Sequence, residues 1–209
     1  MTDSPVSLST PLTDAAILAL RSGDAVLLNG VIVTARDRAH QWLHERFIRQ
    51  SVTPTPQDLQ IYDALKSYLH NGLIYHCGPI VEQLEDDGYH FIAAGPTTSI
   101  REEPYQAEIM RHFNLKGVIG KGGMGDNTLQ ACAQVPAVYF HAVGGAAALA
   151  AQAVVEVLEV FKLDFGLPEA MWVVRVEDFP AVVTMDAHGR SLHAQVLARS
   201  KENLENLLE

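Results

Sequence analysis

From Phe91 to Val154 the chain alternates short β-rich runs, glycine turns and helical segments, and this alternation restricts the fold more than any other feature. FIAA leads into GPTTSIR and the helical stretch EEPYQAEIMRHF. GVIG leads into KGGMG and DNTLQACAQ, and AVYF leads into the small-residue run GGAAALAAQAV. Strands separated by helices are the pattern of α/β proteins, whose sheets are covered by the helices that connect them.

The flanking segments fit around this centre. Thr13 and Asp14 precede AAILALR as helix-start residues, and Ser22-Gly23-Asp24 turns the chain into AVLLNGVIVTA. Two β-branched runs around Asn29-Gly30 predict a hairpin, with its second strand ending close to Arg36. Helical spacing follows over residues 37–49, and again over about 57–69 after Pro54 and Pro56. LIYH and FIAA are short strands. MWVVRV is another, and PAVVTM and SLHAQV predict a second hairpin around Asp186-Ala187-His188-Gly189. SKENLENLLE is a polar helical tail. The expected architecture is a single α/β domain over residues 1–198, a mixed sheet with packed helices, and a tail over residues 199–209. No internal repeat or low-complexity linker divides it.

The 209 residues, 48% of them apolar, suffice for one sizeable core. With 15 basic against 25 acidic residues the formal charge is -10, which opposes the attraction to phosphate that nucleic-acid binding requires. MTDSPVSLST carries no basic cluster followed by an apolar run, and no stretch has the ~20 continuous apolar residues of a membrane span, so a cytoplasmic chain is expected. Cys77 and Cys132 are the only cysteines and stand far apart, too few for a disulfide framework or a cysteine-rich metal site.

Three constellations carry candidate chemistry. Arg36-Asp37 stands where a strand stops and a helix begins, a position at which an arginine fork can hold a carboxylate; equally, Asp37 can cap the helix and Arg36 can be solvated. In Gly95-Pro96-Thr97-Thr98-Ser99-Ile100-Arg101, three hydroxyls and an oncoming helix N-terminus offer donors to an anion and Arg101 adds a full charge; the alternative is a capping segment. Gly120-Lys121-Gly122-Gly123-Met124-Gly125 fits G-x-G-x-x-G between a strand and a helix, the arrangement that binds dinucleotides. An oxidoreductase of that kind is the alternative of another class. Against it, no acidic residue follows at the required distance, and Asp126 would repel a pyrophosphate. The glycines can instead let the backbone pass close to a ligand while Lys121 presents a point charge.

The remaining candidates are weaker. His40 and His44 share a helical face, but Gln41 stands where a zinc-protease pattern needs glutamate. His76 and Cys77 are adjacent on a strand and point to opposite faces, so Cys77 is expected in the core. His141, between AVYF and Gly144-Gly145, is either a ligand or a satisfied buried histidine.

Taken in order, GVIVTARDRAH, CGPI, AAGPTTSIR, GVIGKGGMG, VYFHAVGGAAALAAQ and VEDFPAVVTMDAHG resemble the carboxy-terminal domain of class I iron–sulfur fumarate hydratases and the stand-alone β-subunit of fumarases and L(+)-tartrate dehydratases. The resemblance runs from about Leu12 to about Gln195. It implies a mobile, swivelling β/β/α domain and a hydro-lyase of four-carbon dicarboxylates, converting fumarate to malate or, alternatively, L(+)-tartrate to oxaloacetate. It further implies Thr97 as the catalytic proton-handling residue and Arg36, Arg101 and Lys121 as substrate ligands. A four-iron, four-sulfur cluster would be held by a partner α-subunit, in an assembly of the α2β2 kind, with no metal ligand on this chain. The chain departs from the commoner family pattern at Cys77, where alanine is usual, and at Glu102 and Glu103, where methionine followed by an acid is frequent. Extra negative charge beside Arg101 bears on its grip on a carboxylate.

Overall fold

The computed structural model describes residues 4–85 and 88–208; Met1–Asp3 of the opening segment and Glu209 of the tail lie outside them. The chain runs β1 (Val6–Ser9), α1 (Asp14–Ala19), β2 (Ala25–Thr34), α2 (Asp37–Leu43) with a π-helical turn (His44–Ile48), and α3 (Pro56–Leu69). There follow β3 (Leu73–Tyr75), β4 (Ile80–Gln83), β5 (Tyr89–Ala93), a 3-10 turn (Ser99–Glu102) that opens α4 (Glu103–Phe113), β6 (Gly117–Gly120) and α5 (Asp126–Gln134). Last come β7 (Val138–His141), α6 (Ala147–Gln152), β8 (Val154–Phe161), β9 (Met171–Met185) and α7 (Leu192–Leu208). Among the described residues no helix is long and apolar enough to cross a membrane.

Seven strands form one sheet in the order β1-β2-β3-β6-β7-β9-β8, and β9 pairs with β2 as well. β2, β3, β6 and β7 are mutually parallel, and β9 is antiparallel to both β7 and β2. The 15-residue β9 thus closes five strands into a ring, in which β-branched alternation supplies two faces. Trp172, Val174, Val176, Ile32, Ile119 and Phe140 lie in the inner core. Val33, Ile74, Val118, Val173 and Met185 lie in the outer core, against Trp42, Leu65, Leu69, Ile109 and Cys132 of the helices. The β4-β5 hairpin folds over the inner face, with Tyr89 and Phe91 edge-on to Trp172 at 4.9 and 5.7 Å.

Several sequence expectations change: MWVVRV and PAVVTM are one continuous strand, β9, and FIAA pairs with β4 outside the seven-stranded sheet. Asn29-Gly30 is no hairpin turn: β2 runs straight through it, and Gly30, at φ +93°, absorbs a register shift in the β2–β9 ladder between Leu28 and Gly30. A straight strand pairs Ala25–Val33 with β9 and buries Leu28, Ile32 and Val33. Each such burial stabilises by about 2 kcal/mol, which outweighs a local turn preference. The turn at Asp186–Gly189 does form, closed by Asp186 N–H on the Arg190 carbonyl at 3.0 Å, but SLHAQV enters α7 instead of returning as a strand.

One helix start sets up a later contrast. Pro56 occupies the first turn of α3, Thr55 Oγ1 accepts from Asp58 N at 3.1 Å, and the Asp58 carboxylate accepts from Thr55 N at 3.0 Å. That carboxylate also accepts from Trp42 Nε1 at 2.8 Å and Arg46 Nε at 3.2 Å, and Lys162 Nζ lies 3.6 Å away.

Candidate active site

The carboxyl ends of the adjacent parallel strands β2, β3 and β6 lie side by side, and the four residues singled out in the sequence stand on or beside them. Arg36 follows β2 in extended backbone and precedes α2. Its guanidinium lies over Gly78, where a Cβ would come within 2.6 Å of Nη1, and its Nη1 meets Glu169 Oε1 at 3.2 Å. A side chain at position 78 would displace the arginine.

Beyond their last paired residues β3 and β6 part, and the Gly95–Thr98 segment threads between them. Thr97 N donates to the His76 carbonyl at 2.7 Å, Lys121 N to the Thr97 carbonyl at 3.3 Å, and Ser99 N to the Lys121 carbonyl at 3.1 Å. Thr97 and Lys121 are thereby fixed on one rim. Arg101 Nη2 donates to Thr97 Oγ1 at 3.2 Å, and its Nη1 stands 3.8 Å from Asp37 Oδ2. Asp37, Arg101, Thr97 and Lys121 form one connected line, with Arg36 covalently next to its first member. Such a crevice at strand ends is where open α/β sheets bind ligands, and three cationic residues on adjoining strand ends suit an anion with more than one charge.

Beneath the rim lies a buried polar floor. His40 Nδ1 meets the Arg36 carbonyl at 2.9 Å, and Nε2 of both His40 and His76 meets the Gln106 side-chain amide at 2.9 Å. Ser99 Oγ joins His76 Nδ1 and the Tyr139 hydroxyl, each at 2.8 Å. Burial pushes both histidines below their ordinary pKa, so both are neutral. The amide atom that faces both Nε2 atoms is Gln106 Oε1, and Gln106 Nε2 has no partner among the described residues. This floor was not legible in the sequence, apart from the histidines as isolated candidates. His44, which opens the π-helical turn, meets Glu108 at 3.2 Å instead, so His40 and His44 have different partners. Among the described residues no group of three His, Cys, Asp or Glu side chains is placed to hold a metal ion.

Glu103 is a second residue that sequence reasoning missed. Its carboxylate accepts from Gly125 N at 2.8 Å, Thr128 N at 3.2 Å and Thr128 Oγ1 at 2.7 Å. It caps α5 from another helix and occupies the N-terminal position that a pyrophosphate would need, which removes the ground for a dinucleotide reading of Gly120–Gly125.

Glu102 is fully buried. Burial and the neighbouring Asp37 carboxyl raise it to about 8, while its own backbone N–H and Arg101 oppose the shift. Asp37 is lowered: burial would raise it, but the hydrogen bond with Glu102 and the charges of Arg101 and Arg36 prevail. Among the described residues the buried side-chain polar atoms without a partner are Arg36 Nε, Asp37 Oδ1, both Glu102 oxygens, Gln106 Nε2 and His141 Nδ1, all close to this rim or the strand end beside it. Of the cysteines, Cys77 stands behind this site, joined by a β-bridge to Pro96. Cys77 is in the inner core and Cys132 in the outer one, and burial pushes both thiols up to about 12.

Residues 2–196 match the family described as Fumarase C-terminus. A protein of Geobacillus stearothermophilus, provisionally named a class I fumarate hydratase, is 45% identical over 98% of this chain, which spans 36% of that protein's length. The L(+)-tartrate dehydratase subunit beta of Escherichia coli is 37% identical over 90% of this chain and 86% of its own length. A Methanocaldococcus jannaschii protein provisionally named for the same subunit is 37% identical over 94% of this chain and 95% of its own.

Proposed function

The chain belongs to the fumarase C-terminal family, and from that premise we propose that it is the β-subunit of an iron–sulfur hydro-lyase acting on a four-carbon dicarboxylate. Fumarate and malate are the first choice of substrate pair. L(+)-tartrate, dehydrated to oxaloacetate, is the second, because the relatives that this chain matches over most of their length are named for that activity. The cluster is assigned to a partner α-subunit, as in an α2β2 assembly. Cys77 and Cys132 are buried as thiols on opposite faces of the sheet and do not suit an iron–sulfur centre. Lewis-acid chemistry therefore belongs to the partner, and no step through the cluster is assigned to residues of this chain.

This chain's share is carboxylate binding and proton handling. Arg36, Arg101 and Lys121 bind the two carboxylates, and Thr97 exchanges the proton on the carbon next to the departing hydroxyl. The observation that carries this reading is the 3.2 Å contact of Arg101 Nη2 with Thr97 Oγ1, with Lys121 anchored to the main chain of the same threonine. A threonine hydroxyl is a weak base unless a cation favours its alkoxide, and the Arg101 guanidinium is held against it. In the complex reconstituted with its partner, Thr97→Ala is expected to lower kcat by about 10²–10⁴ while leaving KM within a few fold. Turnover within a few fold of the wild type would remove Thr97 from the chemistry.

A further inference from the structure

Carboxylate oxygens only accept hydrogen bonds, so a buried carboxylate needs donors from its surroundings. Glu102 receives none from another residue: neither of its oxygens meets a neighbouring side chain's or turn's N–H or O–H among the described residues, and its side chain is fully buried. The carboxyl that bears on it electrostatically is that of Asp37, whose buried Oδ1 also lacks a hydrogen-bond donor. Two acceptors in contact away from water repel unless one proton lies between them. The two side chains come from different elements, α2 and the 3-10 turn before α4, so the proton is part of what holds those elements together.

The pair stands directly behind the cationic rim. Asp37 Oδ2 is 3.8 Å from Arg101 Nη1, and Arg101 also reaches Thr97. We propose that Asp37 and Glu102 share one proton as a positioning pair that leaves the Arg101 guanidinium free for a substrate carboxylate, and that loss of this proton weakens dicarboxylate binding. The inference rests on the hydro-lyase reading for the identity of the ligand, and on the contact between the carboxyls for the proton itself.

The charged and titratable groups facing Glu102 are Asp37 on α2, Arg101 in its own turn and Tyr139 on β7, whose phenol burial keeps protonated; Arg36 faces Asp37. Ionisation of Glu102 would place a second negative charge beside Arg101, which would then be drawn toward the protein's own carboxylates. Dicarboxylates of this size are already dianions at neutral pH, so substrate titration does not mask the effect.

Two measurements test the pair. In the isolated full chain, carbon-detected NMR of 13C-labelled glutamate side chains is expected to show one carboxyl titrating near pH 8, missing from Glu102→Gln. Titration of every glutamate in the ordinary range near 4 would overturn the proposal. In the complex with its partner, KM for the dicarboxylate is expected to rise about tenfold as pH passes through the same range, with kcat unmoved by this group. Glu102→Gln, whose amide can still donate to Asp37, is expected to hold KM flat across it. A rise that persists in that variant would overturn the proposal, as would a KM change of equal size at every pH, the mark of a merely structural residue. Absence of any turnover on these dicarboxylates would count against the hydro-lyase reading, whereas the carboxyl titration reads the pair by itself.

Discussion

Asp58 and Glu102 are both buried carboxyl residues, at 4% and 0% exposure, and they have opposite fates. Asp58 receives Thr55 N and Oγ1, Trp42 Nε1 and Arg46 Nε, with Lys162 nearby. Burial alone would raise it, yet these donors hold it well below the usual carboxylate range. Glu102 has no such donors, has another carboxyl for a neighbour, and is raised to about 8. Burial therefore does not decide whether a carboxyl is charged; the donors delivered to it do. The first group ties a helix start to its surroundings, and the second lies against the line of residues that binds the proposed substrate.

The contrast can be broken most directly at Asp58. Asp58→Ala leaves Arg46 and the Trp42 indole without their partner, and is expected to cost about 3–5 kcal/mol in urea denaturation. A loss below about 1 kcal/mol would mean that the network does not anchor α3. The two groups should also bend the stability curve in opposite directions with pH. Asp58 has a depressed folded pKa, so its contribution is present above pH 3.8 and is lost as pH falls through the folded value. Glu102 has a raised one, so its contribution is complete below pH 4.5 and is lost as pH rises toward 8. Melts of wild type and Glu102→Gln compared at pH 5 and pH 8 are expected to diverge at the higher pH, with the variant gaining on the order of 2 kcal/mol. Parallel curves would remove the contrast. The smallest effect sharpens it. Thr55→Ala takes away one donor and the α3 cap, with an expected loss of about 1 kcal/mol and an acid transition moved to higher pH.

How much of this was readable beforehand follows from distance along the chain. Strand ends and glycine turns pointed to Arg36, Arg101, Lys121 and the hydroxyl run 97–99, because local turn chemistry marks where a backbone exposes polar groups; the choice of Thr97 within that run came from the family resemblance. The alternation from Phe91 onward foretold the parallel strands β6 and β7 and the helices between them. The path of β2 through Asn29-Gly30 was not foretold, since it is settled by β9, some 150 residues later. The same holds for the site's interior. Glu102 meets Asp37 from another element, His76 and His40 meet through Gln106, and Glu103 caps a helix that begins 23 residues further on. Each is a partnership between remote positions, and spacing along one chain does not report it.

Glu102 and Glu103, adjacent in sequence, thus answer to separate constraints, and the clasp of Glu103 on Gly125 and Thr128 has a bearing on motion. The turn presenting Arg101 and the loop presenting Lys121 leave through different strands but are fastened at this carboxylate. A fluctuation that frees the start of α5 must break the clasp and release the start of α4 with it. The cationic rim is therefore a single cooperative unit, and local unfolding would open it as one piece.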